Sequence, residues 1–297
     1  MRLRYHVEYG SLVALAALVR ALPRPTALRL GAAIGELGWL LRIRRRLVLA
    51  NLAQALPGLA PRERRRLGAR ASRNFGRTVA EFVRFAGGDR ARVGELVALA
   101  GLDRLRAALA EGRGAIVVTA HLGSWALYVT ALAAAGIPSA LLVGKQHNPK
   151  VDAFILGIPG DAVRFISKGR TAPRDILRSL QEGRAVVMVA DQSAGRRGVL
   201  APFLGRVAST LALPGAFGAR YGTPIFILLG RRASALRHEV EIAPLPYSRD
   251  GGEEAVREAI TSACNHALGE GILRHPEHYF WYHRRWRDRA IRLGSAS

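Results

Sequence analysis

Short, uninterrupted apolar runs recur through the middle of the chain and constrain its fold more than any other feature. Residues 115–120, Ala-Ile-Val-Val-Thr-Ala, form the clearest run. A run of this length that is apolar at nearly every position is typical of a strand buried on both faces of a parallel sheet. Further strand candidates occupy residues 140–143, 163–166, 185–190 and 224–229.

Segments with helical character alternate with these runs, at residues 124–135, 171–181 and 209–221. Strands that alternate with helices predict an α/β fold with a mostly parallel central sheet covered by helices on both faces. Residues 240–242 are expected to add an antiparallel edge strand. Residues 61–85 and 253–273 carry apolar residues at helical spacing and predict two longer helices.

The N-terminal region, residues 1–60, differs from the rest of the chain because its apolar segments are bordered by arginine. Residues 12–22 are interrupted by Arg20, and residues 28–41 lead into the run Arg44-Arg45-Arg46. No segment reaches the roughly 18 uninterrupted apolar residues that a spanning helix needs. We expect two helices that lie on an anionic membrane surface as an N-terminal arm, followed by one α/β domain over residues 61–297. The alternative is that both are core helices of a soluble protein.

A formal net charge of +23, with a sequence pI near 11.6, favours anionic partners. These include nucleic acid, anionic lipid and acidic proteins. Nearly all the basic residues are arginine, which suits bidentate contacts to phosphate and carboxylate, although genomic base composition is an equal explanation. The single cysteine, Cys264, excludes an internal disulfide and fits a reducing compartment.

Motif searches exclude several classes of site. The chain has no phosphate-binding P-loop and no dinucleotide-binding glycine pattern after a strand. His275, His278 and His283 match no familiar metal spacing, so neither a metal nor a cofactor is expected. Ser124 lacks the second glycine of a nucleophile elbow.

Two of the predicted strands end in residues suited to acid–base chemistry. His121 follows the run at 115–120, and Asp191 follows the run at 185–190. Because the carboxyl ends of parallel strands share one edge of a sheet, both side chains are expected at the same ligand-binding edge. A histidine at that position is suited to act as a general base near neutral pH. A purely structural histidine is the alternative.

The chain resembles the lysophospholipid acyltransferase family, specifically its branch of lipid A late acyltransferases, which transfer lauroyl and myristoyl groups. The resemblance covers nearly the whole chain and is carried by several motifs in order. These are residues 51–52, 61–64, 121–125, 147–152, 180–184, 191–195, 202–210 and 276–286.

The resemblance implies an activity and a location. In that family a histidine deprotonates the hydroxyl of a lipid acceptor, and the alkoxide attacks an acyl thioester on acyl carrier protein or coenzyme A. The implied function is therefore fatty acyl transfer to a lipid A precursor or another glycolipid, with His121 as the base. The expected location is the cytoplasmic face of the bacterial inner membrane, as a peripheral or monotopic protein, with no nucleic-acid partner.

The candidate site comprises two catalytic residues, His121 and Asp191, and a set of substrate-binding residues. Basic members of that set are expected to contact acceptor phosphates or the acidic carrier protein, and aromatic members to line an acyl channel. Its threonine is expected at a helix N-cap, where backbone N–H groups hold an anion. The alternative for the basic residues is solvated surface charge, for the aromatic residues core packing, and for the threonine simple helix capping. The substrate-binding set is Gly123, Ser124, Trp125, Arg164, Lys168, Gln192, Arg196, Phe203 and Thr210.

One position departs from the family pattern. The family motif is a histidine, four intervening residues, and then Asp or Glu, but here the acidic position is Ala126. Three explanations are open. Asp191 orients His121 instead, as the resembling mycobacterial mannoside acyltransferases suggest; Ala126 is a drifted or engineered knock-out; or the protein is a binding-only relative, a basic protein that binds lipid or nucleic acid.

Overall fold

The computed structural model of the protein describes residues 2–85, 87, 89–157 and 163–286. The helices are α1 (Arg2–Ala21), α2 (Arg24–Leu40), α3 (Arg45–Ala55), α4 (Pro61–Phe85), α5 (Val93–Leu96), α6 (Leu102–Ala110), α7 (Trp125–Ala134), α8 (Pro149–Leu156), α9 (Ala172–Gln181), α10 (Leu213–Tyr221) and α11 (Glu253–Arg274). The strands are β1 (Val97–Ala100), β2 (Ala115–Thr119), β3 (Ser139–Val143), β4 (Val163–Ser167), β5 (Ala185–Val189), β6 (Val199–Phe203), β7 (Arg206–Thr210), β8 (Ile225–Arg232) and β9 (His238–Pro244).

A central sheet organises the described part of the chain, with seven strands in the order β1-β9-β8-β2-β5-β3-β4. The five strands from β8 to β4 run parallel to one another. Strand β9 is antiparallel to β8, and β1 is parallel to β9. The predicted mostly parallel sheet is therefore confirmed, and β2 and β5 lie side by side at its centre.

Helices cover both faces of this sheet, as expected from the apolar runs. Ile116 and Val118 of β2 pack into one core, to which α3, α4, α9, α10 and α11 contribute. Val117, between them, packs into a second core with α5, α6 and α7. Burial of a Val or Ile side chain stabilises the fold by about 1.5–3 kcal/mol. Because β2 buries side chains on both faces, every position favours an apolar residue, and the strand lacks the alternating polar residues of a half-exposed strand.

Two expectations about strands were wrong. Residues 240–242 do lie in the antiparallel strand β9, but β9 is not at the edge, because β1 pairs outside it. Residues 209–210 do not begin a helix; they end β7, which forms a separate antiparallel hairpin with β6. The hairpin turns at Leu204 and Gly205, both with positive φ. A short strand pairing with its sequence neighbour carries little apolar periodicity, so the pattern did not distinguish it from the following helix.

The N-terminal helices pack against the α/β domain through α4. Glycines let α2 approach α4 closely: a Cβ atom on Gly76 would lie only 1.9 Å from the carbonyl oxygen of Gly31. The outer side of α1, α2 and the following turn exposes apolar side chains. No helix of the described residues has the length and apolar character needed to cross a membrane. The exposed apolar residues of this region are Val7, Val13, Leu15, Leu18, Ile34, Leu37, Leu40, Leu41 and Ile43. The division at residue 60 stays a prediction.

Candidate active site

The register of β2 and β5 brings the two candidate catalytic residues together. Thr119 and Val189, the last residues of these strands, are paired in the parallel ladder. His121 and Asp191 each follow two residues later, so they leave the sheet side by side at its carboxyl edge. The distance from His121 Nδ1 to Asp191 Oδ1 is 2.8 Å. The direct contact expected if Asp191 orients the imidazole is therefore present.

Asp191 is almost fully enclosed, with 1% of its surface exposed. Burial by itself would raise the pKa of this carboxyl group. The charge that His121 carries when protonated, hydrogen bonds from its ring and backbone, and the Tyr279 hydroxyl outweigh burial and hold the pKa of Asp191 below its ordinary value. An ionised Asp191 accepts a hydrogen bond from Nδ1–H of the neutral imidazole, in which Nε2 is then the basic nitrogen.

The basic nitrogen of His121 faces Gln192 and a partly open space. The amide nitrogen of Gln192 lies 3.3 Å from His121 Nε2, and the His121 side chain is 24% exposed. Trp125 meets the imidazole edge-on, with 5.3 Å between ring centroids, and Phe280 lies 6.0 Å away by the same measure. Asp191 and the two aromatic rings thus contact three sides of the imidazole, and Nε2 lies beside the Gln192 amide.

The turn after His121 depends on a glycine. Gly123 has φ of +59°, and a Cβ atom there would lie 2.3 Å from Tyr128 Oη and 2.8 Å from the carbonyl oxygen of Gly230. Its amide donates to the carbonyl oxygen of His278 at 2.9 Å. Gly123 therefore lets the chain turn in a crowded place, and its expected contact with substrate stays a prediction.

Ser124 and Trp125 follow the turn in different environments. Ser124 is buried, and its hydroxyl donates to the buried carboxylate of Glu81 on α4. Trp125 is half-buried at the start of α7. Only Trp125 of this pair faces the imidazole. The contact of Ser124 and Trp125 with substrate stays a prediction.

The candidate basic residues separate into two groups. Lys168 follows β4 at the carboxyl edge, where desolvation lowers the pKa of its ammonium group and the charge of Asp191 opposes that shift. Arg196 is exposed in a short 3₁₀ turn, Gly195–Arg197, beyond Asp191. Arg164 instead lies near the start of β4 and pairs with Glu182, which precedes β5, at 2.5 Å. Arg164 is thus at the opposite edge of the sheet, because the second residue of a strand cannot reach its carboxyl end.

Phe203 and Thr210 were expected to meet substrate, and the structure buries both. Phe203 is 1% exposed, beneath the guanidinium of Arg285, whose central carbon is 4.6 Å from the ring centroid. Thr210 ends β7 instead of capping a helix, and its hydroxyl contacts Asn265 and Arg285. The hairpin of β6 and β7 turns these side chains into the core. The expected N-cap position of Thr210 was therefore wrong, whereas contact of Phe203 with the acyl chain stays a prediction.

The C-terminal segment completes the site in a way that the sequence pattern did not reveal. Leu122 and Tyr279 form an antiparallel bridge, and the Phe280 amide donates to the carbonyl oxygen of His121 at 3.0 Å. Trp281 is 1% exposed. Tyr279 and Trp281 therefore pack against the sheet. The sequence signal for a role of this segment at the site was the family motif at residues 276–286.

Comparison with known proteins agrees with this architecture. The family model described as bacterial lipid A biosynthesis acyltransferase matches residues 2–288. A lipid A biosynthesis palmitoleoyltransferase of Escherichia coli (strain K12) is 27% identical over 280 residues, covering 91% of this chain and 88% of the relative. A lipid A biosynthesis acyltransferase of Shigella flexneri matches equally. The resemblance drawn from the motifs is confirmed: the chain belongs to the bacterial lipid A biosynthesis acyltransferase family.

Proposed function

We propose that this protein transfers a fatty acyl chain from an acyl thioester to a hydroxyl of a lipid A precursor or a similar glycolipid, with His121 as the general base. Membership of the family supports acyl transfer to a lipid A-like acceptor. The observation that carries the assignment of the base is the 2.8 Å contact between His121 Nδ1 and Asp191 Oδ1 at the carboxyl edge of the sheet.

The proposed reaction has three steps. The acceptor hydroxyl gives its proton to His121 Nε2, and its oxygen attacks the thioester carbonyl carbon. Asp191 holds the Nδ1–H proton and stabilises the imidazolium that forms. The tetrahedral intermediate then collapses, the carbon–sulfur bond breaks, and the imidazolium returns the proton to the leaving thiolate. The products are an ester and a free thiol, with no covalent acyl-enzyme.

Gln192, Lys168 and Arg196 are the residues proposed to contact substrate at this edge. The Gln192 amide occupies the position beside Nε2 that the acceptor hydroxyl must take. Once displaced, its N–H group can donate to the oxyanion of the tetrahedral intermediate. The positive charges of Lys168 and Arg196 suit phosphate groups on the acceptor or an acidic carrier protein.

The proposed donor is an acyl thioester of acyl carrier protein or coenzyme A. The net charge of +23 favours the acidic carrier protein. Binding measured across ionic strength tests this preference, and we expect the affinity to fall as salt rises. Absent or salt-independent binding of the carrier protein would contradict it.

The proposed location is the cytoplasmic face of the bacterial inner membrane. The apolar residues exposed on α1 and α2 lie beside the arginine-rich turn at residues 42–46, a combination suited to an anionic lipid surface. Cell fractionation tests this placement. Complete recovery of the protein in the soluble fraction at low salt would contradict it.

The decisive experiment compares three single variants in one assay. Lauroyl and palmitoleoyl thioesters of acyl carrier protein and of coenzyme A are offered with a lipid A precursor, and the lipids are analysed by mass spectrometry. We expect His121→Ala to abolish transfer and Asp191→Asn to lower kcat by about 10⁴-fold, because an amide fails to stabilise the correct imidazole tautomer. His266→Ala, which alters an exposed histidine on α11, is the matched control.

Two results would contradict the proposal. If the Asp191→Asn variant turns over at the wild-type rate, Asp191 has no part in the reaction. If the His121→Ala variant turns over, His121 is not the general base. A wild-type protein that transfers nothing from any donor, yet binds lipid vesicles or nucleic acid, would establish the binding-only alternative that Ala126 left open.

A further inference from the structure

A buried carboxylate outside the proposed acid–base pair is tied to the turn that carries His121. Glu81 lies on α4 with 1% of its surface exposed. Its oxygens accept hydrogen bonds from Arg232 Nε at 2.9 Å and Nη2 at 2.5 Å, from His238 Nε2 at 2.9 Å and from Arg24 Nη2 at 2.8 Å. Glu81 therefore joins α2, α4, β8 and β9 at one buried point.

The same carboxylate also holds Ser124. The Ser124 hydroxyl donates to Glu81 Oε2, and Arg232 Nη2 lies 3.3 Å from the same hydroxyl oxygen. The Ser124 amide donates to Tyr128 Oη at 3.1 Å. Ser124 is three residues after His121 and belongs to the turn that Gly123 permits, so its position bears on where the imidazole lies.

Stability alone is a weak reason for so much buried charge. Enclosing an ion cluster costs desolvation energy that well-packed apolar residues avoid, so the cluster points to a need for fixed geometry. Burial would raise the pKa of Glu81, but the charges and hydrogen bonds of Arg232 and His238 outweigh burial and hold the pKa well below its ordinary value. Glu81 is thus ionised near neutral pH, and the Ser124 hydroxyl is bound to it.

We propose that Glu81 is a positioning residue for acyl transfer: through the Ser124 hydroxyl it holds the turn after β2, so that His121 faces both Asp191 and the acceptor hydroxyl. The inference rests on the proposed role of His121. The turn is then held from two sides. The C-terminal segment binds the backbone of His121 and Gly123, and Glu81 binds Ser124.

The test is a double-mutant cycle on kcat, with lauroyl–acyl carrier protein as donor and a lipid A precursor as acceptor. We expect Glu81→Gln to lower kcat by about 10- to 100-fold with little change in KM, because a small displacement of the base affects only the transition state. Ser124→Ala is expected to lower kcat about tenfold. The double variant is expected to match Glu81→Gln alone, since both changes break one link.

Asp89→Asn is the matched control, because Asp89 is a second buried carboxylate of the same cluster. It accepts from Arg24 Nη1 at 2.6 Å and pairs with Arg84 at 3.0 Å, and neither contact involves the turn after His121. We expect the Asp89→Asn protein to melt at a lower temperature while kcat per folded molecule stays at the wild-type value. Melting curves of every variant give the folded fraction.

Three outcomes distinguish the inference from the proposed function. An active wild-type protein whose Ser124→Ala variant has unchanged kcat overturns the inference, even if Glu81→Gln fails to fold. Multiplicative losses in the double variant also overturn it, because Glu81 would then act by another route. A wild-type protein as inactive as His121→Ala overturns the proposed function together with the inference.

Discussion

At the residue scale, Ala126 stands where the family resemblance implies an acidic residue, and a carboxylate distant in sequence, Asp191, contacts His121. Family resemblance places an acidic residue at this position, but the Nδ1–H proton of His121 is already bound by Asp191. Ala126 lies half-buried in the first turn of α7. The carboxylate that contacts Nδ1 follows β5, the strand paired with β2.

Restoring an acidic residue at position 126 is therefore expected to change little. We predict that Ala126→Glu alters kcat by less than about tenfold, equivalent to about 1.4 kcal/mol. Acyl-transfer kinetics measure this, and Ala126→Gln controls for side-chain size without charge. A large gain of activity from Glu, but not from Gln, would show that Asp191 is not the working partner of His121.

At the scale of elements, the junction between β2 and α7 combines a turn, a strand end and the C-terminal segment. Gly123 is enclosed there by Tyr128 and Gly230, and its amide is bound by His278. A side chain at this position would be strained by the positive φ and would also meet backbone atoms that cannot move cheaply.

Comparing two glycines that both have positive φ, Gly123 and Gly112, separates the cost of the backbone conformation from the cost of the steric clash. We expect Gly112→Ala to lower the free energy of unfolding by about 1–2 kcal/mol, the cost of the left-handed conformation alone. Gly123→Ala is predicted to lower it by more. Gly112 has φ of +77° but no atom within 4 Å of a Cβ, so only the conformational cost applies there. Urea unfolding measures both. Equal losses would mean that the turn relaxes freely.

At the scale of the whole molecule, buried titratable groups link stability to pH. Burial, followed by the positive charges of Arg232 and His275, lowers the pKa of His278 from 6.5 to about 3. In the unfolded chain this histidine binds a proton near pH 6.5, whereas the folded protein keeps it neutral. Its stabilising contribution is therefore fully present above pH 6.5 and is lost as the pH falls towards 3.

The corresponding prediction concerns the slope of stability with pH. Between pH 6 and pH 5 we expect the wild-type free energy of unfolding to fall more steeply than that of His278→Gln, by up to about 1.4 kcal/mol per pH unit for one proton. Urea unfolding across this interval measures the difference. Carboxyl groups titrate mostly below pH 5. Because both proteins contain the same carboxyl groups, they do not contribute to the difference between the two slopes. Parallel curves would show that His278 is protonated in the folded state.

Local sequence determined the framework of this protein and the two central residues of its site. Apolar runs marked β2 and β5 because a strand buried on both faces has no polar position. His121 and Asp191 stood out as the first polar residues beyond those runs. Parallel strands that share a register must end at one edge, so the expected proximity of the two side chains followed from strand positions alone.

Only the tertiary structure decided which residues surround that pair. Tyr279 hydrogen-bonds to Asp191, and Glu81 binds Ser124 in the turn after His121. Both contacts join elements far apart in the chain, and local periodicity carries no record of such contacts. The same reason accounts for Phe203 and Thr210, whose strands pair with each other and turn both side chains inwards. A periodic pattern reports which face of a segment is buried, whereas the identity of its neighbours depends on how all the segments pack.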